Sequence, residues 1–110
     1  MATHHATPGE IVDLLSWADD LTTEKNKAIA KTEHFELARL MLPAGKIMAE
    51  HEVPGPVIIH CIKGQVEIGC ASSNKTLTSG QLLFLAPAAP HSVTALRDAI
   101  VVLTIIFKNQ

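Results

Sequence analysis

Gly45-Lys46-Ile47-Met48-Ala49-Glu50-His51-Glu52-Val53-Pro54-Gly55-Pro56-Val57-Ile58-Ile59-His60-Cys61-Ile62-Lys63-Gly64 is the stretch from which the fold is read. Pro54-Gly55-Pro56 is a stop signal. The six apolar or β-branched-rich residues that follow, Val57 to Ile62, have the length and composition of a buried strand. Lys63-Gly64 has the length of a two-residue hairpin turn, with Gly64 supplying a positive φ. That turn predicts Ile62 opposite Gln65, Ile59 opposite Ile68 and Val57 opposite Cys70. One face of the pair would then carry Val57, Ile59, Cys61, Val66, Ile68 and Cys70, and the other Ile58, His60, Ile62, Gln65, Glu67 and Gly69.

Outward from this pair the strand pattern continues. Ala28 to Lys31, Phe35 to Leu42, Val66 to Ala71, Leu82 to Leu85, Ser92 to Ala95 and Ala99 to Phe107 read as strands. They are separated by turn signals at Pro43-Ala44-Gly45, Ser72-Ser73-Asn74, Ser79-Gly80 and Pro87 to Pro90. Short strands at regular spacing predict an all-β sandwich or closed barrel. Upstream, Ile11, Leu14, Leu15, Ala18 and Leu21 fit helical spacing, while Ile11-Val12 equally fits an edge strand, so a short helical or strand appendage is expected over 10–27. Residues 1–9 are small and polar and end on Pro8-Gly9, which predicts a flexible N-terminus ahead of a single domain spanning 10–110.

The chain has 110 residues, enough for one core and no second domain. Nine basic against eleven acidic residues, one Trp, three Phe and no Tyr leave neither a basic stripe nor a stacking platform, which argues against nucleic acid. No run approaches the roughly 18 apolar residues of a membrane span, and the start lacks a signal-peptide pattern, so a soluble, cytoplasmic protein without membrane partners is expected. Cys61 and Cys70 fall too far apart along the predicted pair for a disulfide, and both are expected as thiols. Ile58 and Ile62 are apolar on the face expected to meet water, and the run Ile100 to Phe107 is apolar on both faces. Something must cover them, and a homodimer is the simplest expectation.

The quoted stretch resembles the first signature of the cupin family, which runs Gly, five residues, His, one residue, His, three or four residues, Glu, six residues, Gly. Gly45, His51 and Gly64 match, Val53 stands where the second His belongs, and Val57 stands where the Glu belongs. A second stretch, Gly80-Gln81-Leu82-Leu83-Phe84-Leu85-Ala86-Pro87-Ala88-Ala89-Pro90-His91, resembles the family's second signature. Gln81 replaces its Asp, Ala88-Ala89 lacks its Gly, and Pro90-His91 keeps its last ligand. The resemblance covers residues 35 to 107 and implies a double-stranded β-helix, the jelly-roll barrel of RmlC-like cupins. It also implies that position 57 points inward, so that Val57, Ile59 and Ile68 line the interior.

The same resemblance makes His51 and His91 the surviving ligands of a partial metal site. Catalytic metal sites usually supply three protein ligands. Cys70, beside Val57 in the predicted register, is the candidate third; its other reading is a small buried core residue. A site of this kind would take a divalent Zn, Ni, Fe or Cu. Two functions stay open. One is a binding protein that holds a small, largely apolar molecule in a pocket lined by Val53, Val57, Ile59, Ile68 and Cys70. The other is a metal-dependent enzyme of oxygenase or isomerase type using His51 and His91. The catalytic residues of such an enzyme are not readable from the sequence.

Overall fold

The structure, a computed structural model, describes residues 5–16, 26–51, 53–70 and 73–107, with the backbone alone for 26–27 and 49–51. Among these residues the strands are β1 (Asn26–Lys31), β2 (Phe35–Leu42), β3 (Ile47–His51), β4 (Val57–Lys63), β5 (Gln65–Cys70), β6 (Asn74–Thr78), β7 (Leu82–Leu85), β8 (His91–Ala95) and β9 (Ala99–Ile106). They form two antiparallel sheets ordered β1-β2-β9-β4-β7 and β3-β8-β5-β6. No helix occurs among the described residues, and so none there is long and apolar enough to cross a membrane. This is the jelly roll that the signatures imply.

The core lies between the two inner faces. Leu40 and Leu42 of β2, Val57, Ile59 and Cys61 of β4, and Val101 and Leu103 of β9 meet Val66 and Ile68 of β5 and Val93 and Ala95 of β8. Strand alternation does this, because every second residue of a pleated strand points to the same side. Ile59, Cys61, Val66, Ile68 and Val101 are wholly removed from solvent. The inward set read from Val57 to Ile68 is therefore correct.

The hairpin that produced it is not. β4 pairs with β7 and β9, and β5 pairs with β6 and β8, so the two strands lie in opposite sheets. Lys63-Gly64 is a corner between the sheets. Gly64 has φ of 88°, and a side chain there would run into the backbone of Asp98 and Ala99 at the start of β9. Inward alternation survives the change because the two inner faces look at each other across the core, whether the chain doubles back within a sheet or crosses over.

Two strands, β6 and β3, lie outside the strands expected from the sequence. β6 has a single buried residue, Leu77, among four exposed ones and carries no apolar pattern. β3 contains a bulge: Met48 opposes Val93 and His51 opposes His91, so two residues of β3 face one of β8.

The helical spacing over 10–16 is not realised. This segment runs as turns and irregular chain, with Ile11 91% exposed, and residues 17–25 lie outside the described part. The carbonyls of Leu14 and Leu15 turn instead to Arg39 on β2. Its Nε donates to Leu14 O at 2.7 Å and its Nη2 to Leu15 O at 2.8 Å. Ala6 N also donates to Ile29 O, so the segment lies as a strap over the outer side of the first sheet. On that side Ile29, Arg39, Ile100 and Val102 are buried within the one chain. Leu82 and Phe84 of β7 stay more than half exposed on the same sheet, and they are the surface that a second copy would have to cover.

Candidate functional site

The end of the barrel where β3 runs into β4 and β7 into β8 gathers most of the predicted site. Val53 O accepts from Ala88 N at 2.9 Å, which ties the two connections together. In the second sheet, His91 is the Cα partner of His51 on β3 and of Cys70 on β5. His51, His91 and Cys70 therefore share one rung across three adjacent strands. The extra residue of the β3 bulge puts His51 at that level. Cys70 reaches it through β8 and not, as its sequence position implied, through a pairing with Val57. The side chain of His51 lies outside the described part.

His91 is 1% exposed, and its Nδ1 lies 3.2 Å from Ala89 O. A carbonyl can only accept, so this hydrogen bond puts a proton on Nδ1 and sets the ring's orientation. Cys70 is half-buried, with Sγ 3.9 Å from Ile68 O. Imidazole nitrogen and thiolate sulfur are donors suited to Zn, Cu or Fe, and a histidine oriented by a backbone carbonyl is the usual state of a ligand imidazole. His91 and Cys70 thus fit a metal by donor type and by register. Among the described residues no three His, Cys, Asp or Glu side chains form a complete ligand group. Neither cysteine is in a disulfide. Cys61 sits at the other end of β4, where burial pushes its thiol pKa up, outweighing the opposite pull of the Lys63 backbone.

The predicted pocket residues divide into two sets. Val57, Ile59 and Ile68 belong to the closed core, packed against their neighbours. Val53 lines a cavity of about 320 Å³ with Glu36, Pro54, Gly55, Ile105 and Phe107. Glu36 was missed. The signal was present in Phe35-Glu36-Leu37-Ala38-Arg39-Leu40-Met41-Leu42: Glu36, Ala38, Leu40 and Leu42 form the inward phase, and Glu36 is its one charged member. The register extends this. Glu36 opposes Ile105, Ile105 opposes Val57, and Val57 opposes Leu85, so Glu36 stands on the rung of Val57, two strands away. A second hollow, of about 360 Å³ and lined by Met41, Leu42, Pro43, Lys63, Asp98, Ala99 and Ile100, lies at the opposite end of β2 and β9.

No family model matches the sequence, nor does any curated protein. Solved structures do. A conserved protein of unknown function from Streptococcus pyogenes superposes with a TM-score of 0.79 at 15% identity, over 100% of this chain and 97% of that one. A cupin superfamily protein from Desulfitobacterium hafniense gives 0.78 at 11% identity, over 98% and 100% of the two chains. An RmlC-like cupin from Desulfovibrio desulfuricans gives 0.69 at 21% identity, over 96% of each. At these identities the likeness carries architecture alone, and together with the two-sheet topology it establishes that this chain has the fold of a small RmlC-like cupin domain.

Proposed function

We propose that this cupin domain binds a small, largely apolar molecule at the mouth of its barrel. The observation that supports the reading is the cavity of about 320 Å³ beneath the β3–β4 connection, walled by Val53, Pro54, Gly55, Ile105 and Phe107 around one carboxylate. Ligand sites are typically concave and mostly apolar, with few polar groups that orient the guest. Val53 stands in this wall, at the position where the signature that the sequence resembles has its second histidine. The reading predicts that Val53→Trp fills the cavity. In a thermal-unfolding screen against small apolar compounds, a compound at 100 times its Kd should stabilise the native protein by about 2.7 kcal/mol. Val53→Trp should fold and lose that response. Equal stabilisation of the variant would move the binding site elsewhere.

A second reading, a metal-dependent enzyme of oxygenase or isomerase type, is favoured by the shared rung of His51, His91 and Cys70. These three residues would hold the metal. When bound, it would supply a Lewis-acid or redox centre. The chain's own part is to keep His91 in one tautomer through Ala89 O and to keep the barrel interior dry through Val57 and Ile59. Elemental analysis of untagged protein purified without chelators is expected, on this reading, to give near one metal per chain in wild type and a several-fold loss in Cys70→Ser. Unchanged metal content in the variant removes Cys70 from the ligand set, and near-zero content in both leaves the metal-free pocket.

A further inference from the structure

We infer that the molecule held at the barrel mouth carries a cationic amine and that Glu36 is the residue that reads it; this rests on the pocket proposed above. Glu36 is inward-facing on β2, on the same phase as Ala38, Leu40 and Leu42, and half-buried. The side chains that share its cavity, Val53, Pro54, Ile105 and Phe107, offer it no hydrogen-bond donor. Among the described residues it has neither an ion pair nor a hydrogen bond. Lys31, its Cα partner on β1, is the one cation facing it by register; it is exposed and forms no ion pair with it.

Glu36 is half-buried and the walls around it are apolar, so its carboxylate gains little from its neighbours in the cavity. A ligand that brings its own positive charge supplies the missing partner, through a charge-assisted hydrogen bond that strengthens as the guest expels water. Phe107 adds to the same selectivity, because the negative face of an aromatic ring attracts cations and repels anions. Phe107 N donates to His34 O at 2.8 Å, which ties the backbone at the end of β9 to the turn before β2. The remaining walls receive the apolar part of the guest. The chemical class is thus a small primary ammonium compound with a compact hydrocarbon body.

The test is an NMR titration of the full chain at neutral pH with three molecules of nearly one shape: cyclohexylmethylammonium, cyclohexylmethanol and cyclohexanecarboxylate. The backbone amides of Gly55 and Phe107 locate the binding. In wild type the ammonium is expected to bind about tenfold tighter than the alcohol, with the carboxylate weakest. Glu36→Gln, nearly isosteric, should keep the spectrum of the folded protein while bringing ammonium and alcohol within about twofold of each other. Lys31→Gln should keep the wild-type order. An alcohol that binds wild type as tightly as the ammonium overturns the role of Glu36 and leaves the apolar pocket standing. If none of the three shifts Gly55 or Phe107, both the charge preference and the pocket are overturned.

Discussion

Replacing Gly64 with alanine is expected to destabilise the protein by about 3 kcal/mol or more, enough to unfold a sizeable fraction of a marginally stable domain. Two costs combine. The residue has φ of 88°, where a side chain carries a penalty of about 1–2 kcal/mol. An alanine Cβ would also overlap the carbonyl oxygen of Asp98 and come within 2.8 Å of the Ala99 α-carbon. Both are backbone atoms, so relief requires moving the start of β9, the strand bonded to both β2 and β4 in the first sheet. Gly45 and Gly80 are the controls. They have φ of 91° and 88°, but nothing lies within 4 Å of an added Cβ, so each alanine should cost only the conformational penalty, about 1 kcal/mol. Urea unfolding of the three variants separates the terms. If Gly64→Ala behaved like the other two, the tight corner between the sheets would be wrong.

The same corner explains which parts of the fold were legible. Alternation along Val57 to Cys61 and Val66 to Ile68 depends only on the local pleat, so the inward face could be read without knowing any partner strand. Partnership depends on what packs against Gly64, and Asp98 and Ala99 lie more than 30 residues away along the chain. A Lys-Gly pair bounded by apolar runs has the same local appearance in a hairpin and in a crossover. β6 was unreadable for the opposite reason: an edge strand with one buried residue has no hydrophobic period to detect.

The site divides along the same line. His51 and His91 were legible as a pair because two spaced signatures fall on neighbouring strands, and the register sets them opposite each other. Cys70 was placed at their level by a pairing that does not exist, and stands there through β8. Glu36 lies outside both signatures. Its alternation with Ala38, Leu40 and Leu42 is present in the sequence, but its place on the rung of Val57 follows only from the pairing of β2, β9 and β4. The alternation of Val57, Ile59 and Ile68 predicts residues that line a hollow, and they are instead packed in the closed core. Their near-zero exposure comes from side chains of the facing sheet, which a single strand's pattern cannot report.

Truncating Arg39 to alanine is expected to cost about 3 kcal/mol or more. Arg39 is 2% exposed on the outer side of the first sheet. Its guanidinium donates to two carbonyls from one planar fork, at 2.7 Å to Leu14 and 2.8 Å to Leu15, while its stem packs over the sheet. Alanine removes the packing and leaves both carbonyls needing new partners. Leucine restores much of the apolar volume without the hydrogen bonds, and lysine restores the charge without the fork. Hydrogen exchange at the Ala6 amide, which donates to Ile29 O, reports the strap directly. In all three variants it should lose protection relative to core amides such as Cys61, whose N donates to Gln81 O. Ile100 and Val102 are buried on the same outer side of the sheet, so an increase in hydrophobic-dye binding would report their exposure when the segment is released. If Arg39→Leu kept both full stability and Ala6 protection, apolar contact alone would hold the strap, and the two carbonyl bonds would contribute nothing net. Loss of protection at Ala6 with the core amides unchanged would instead identify the N-terminal segment as a separately opening unit whose closure depends on Arg39.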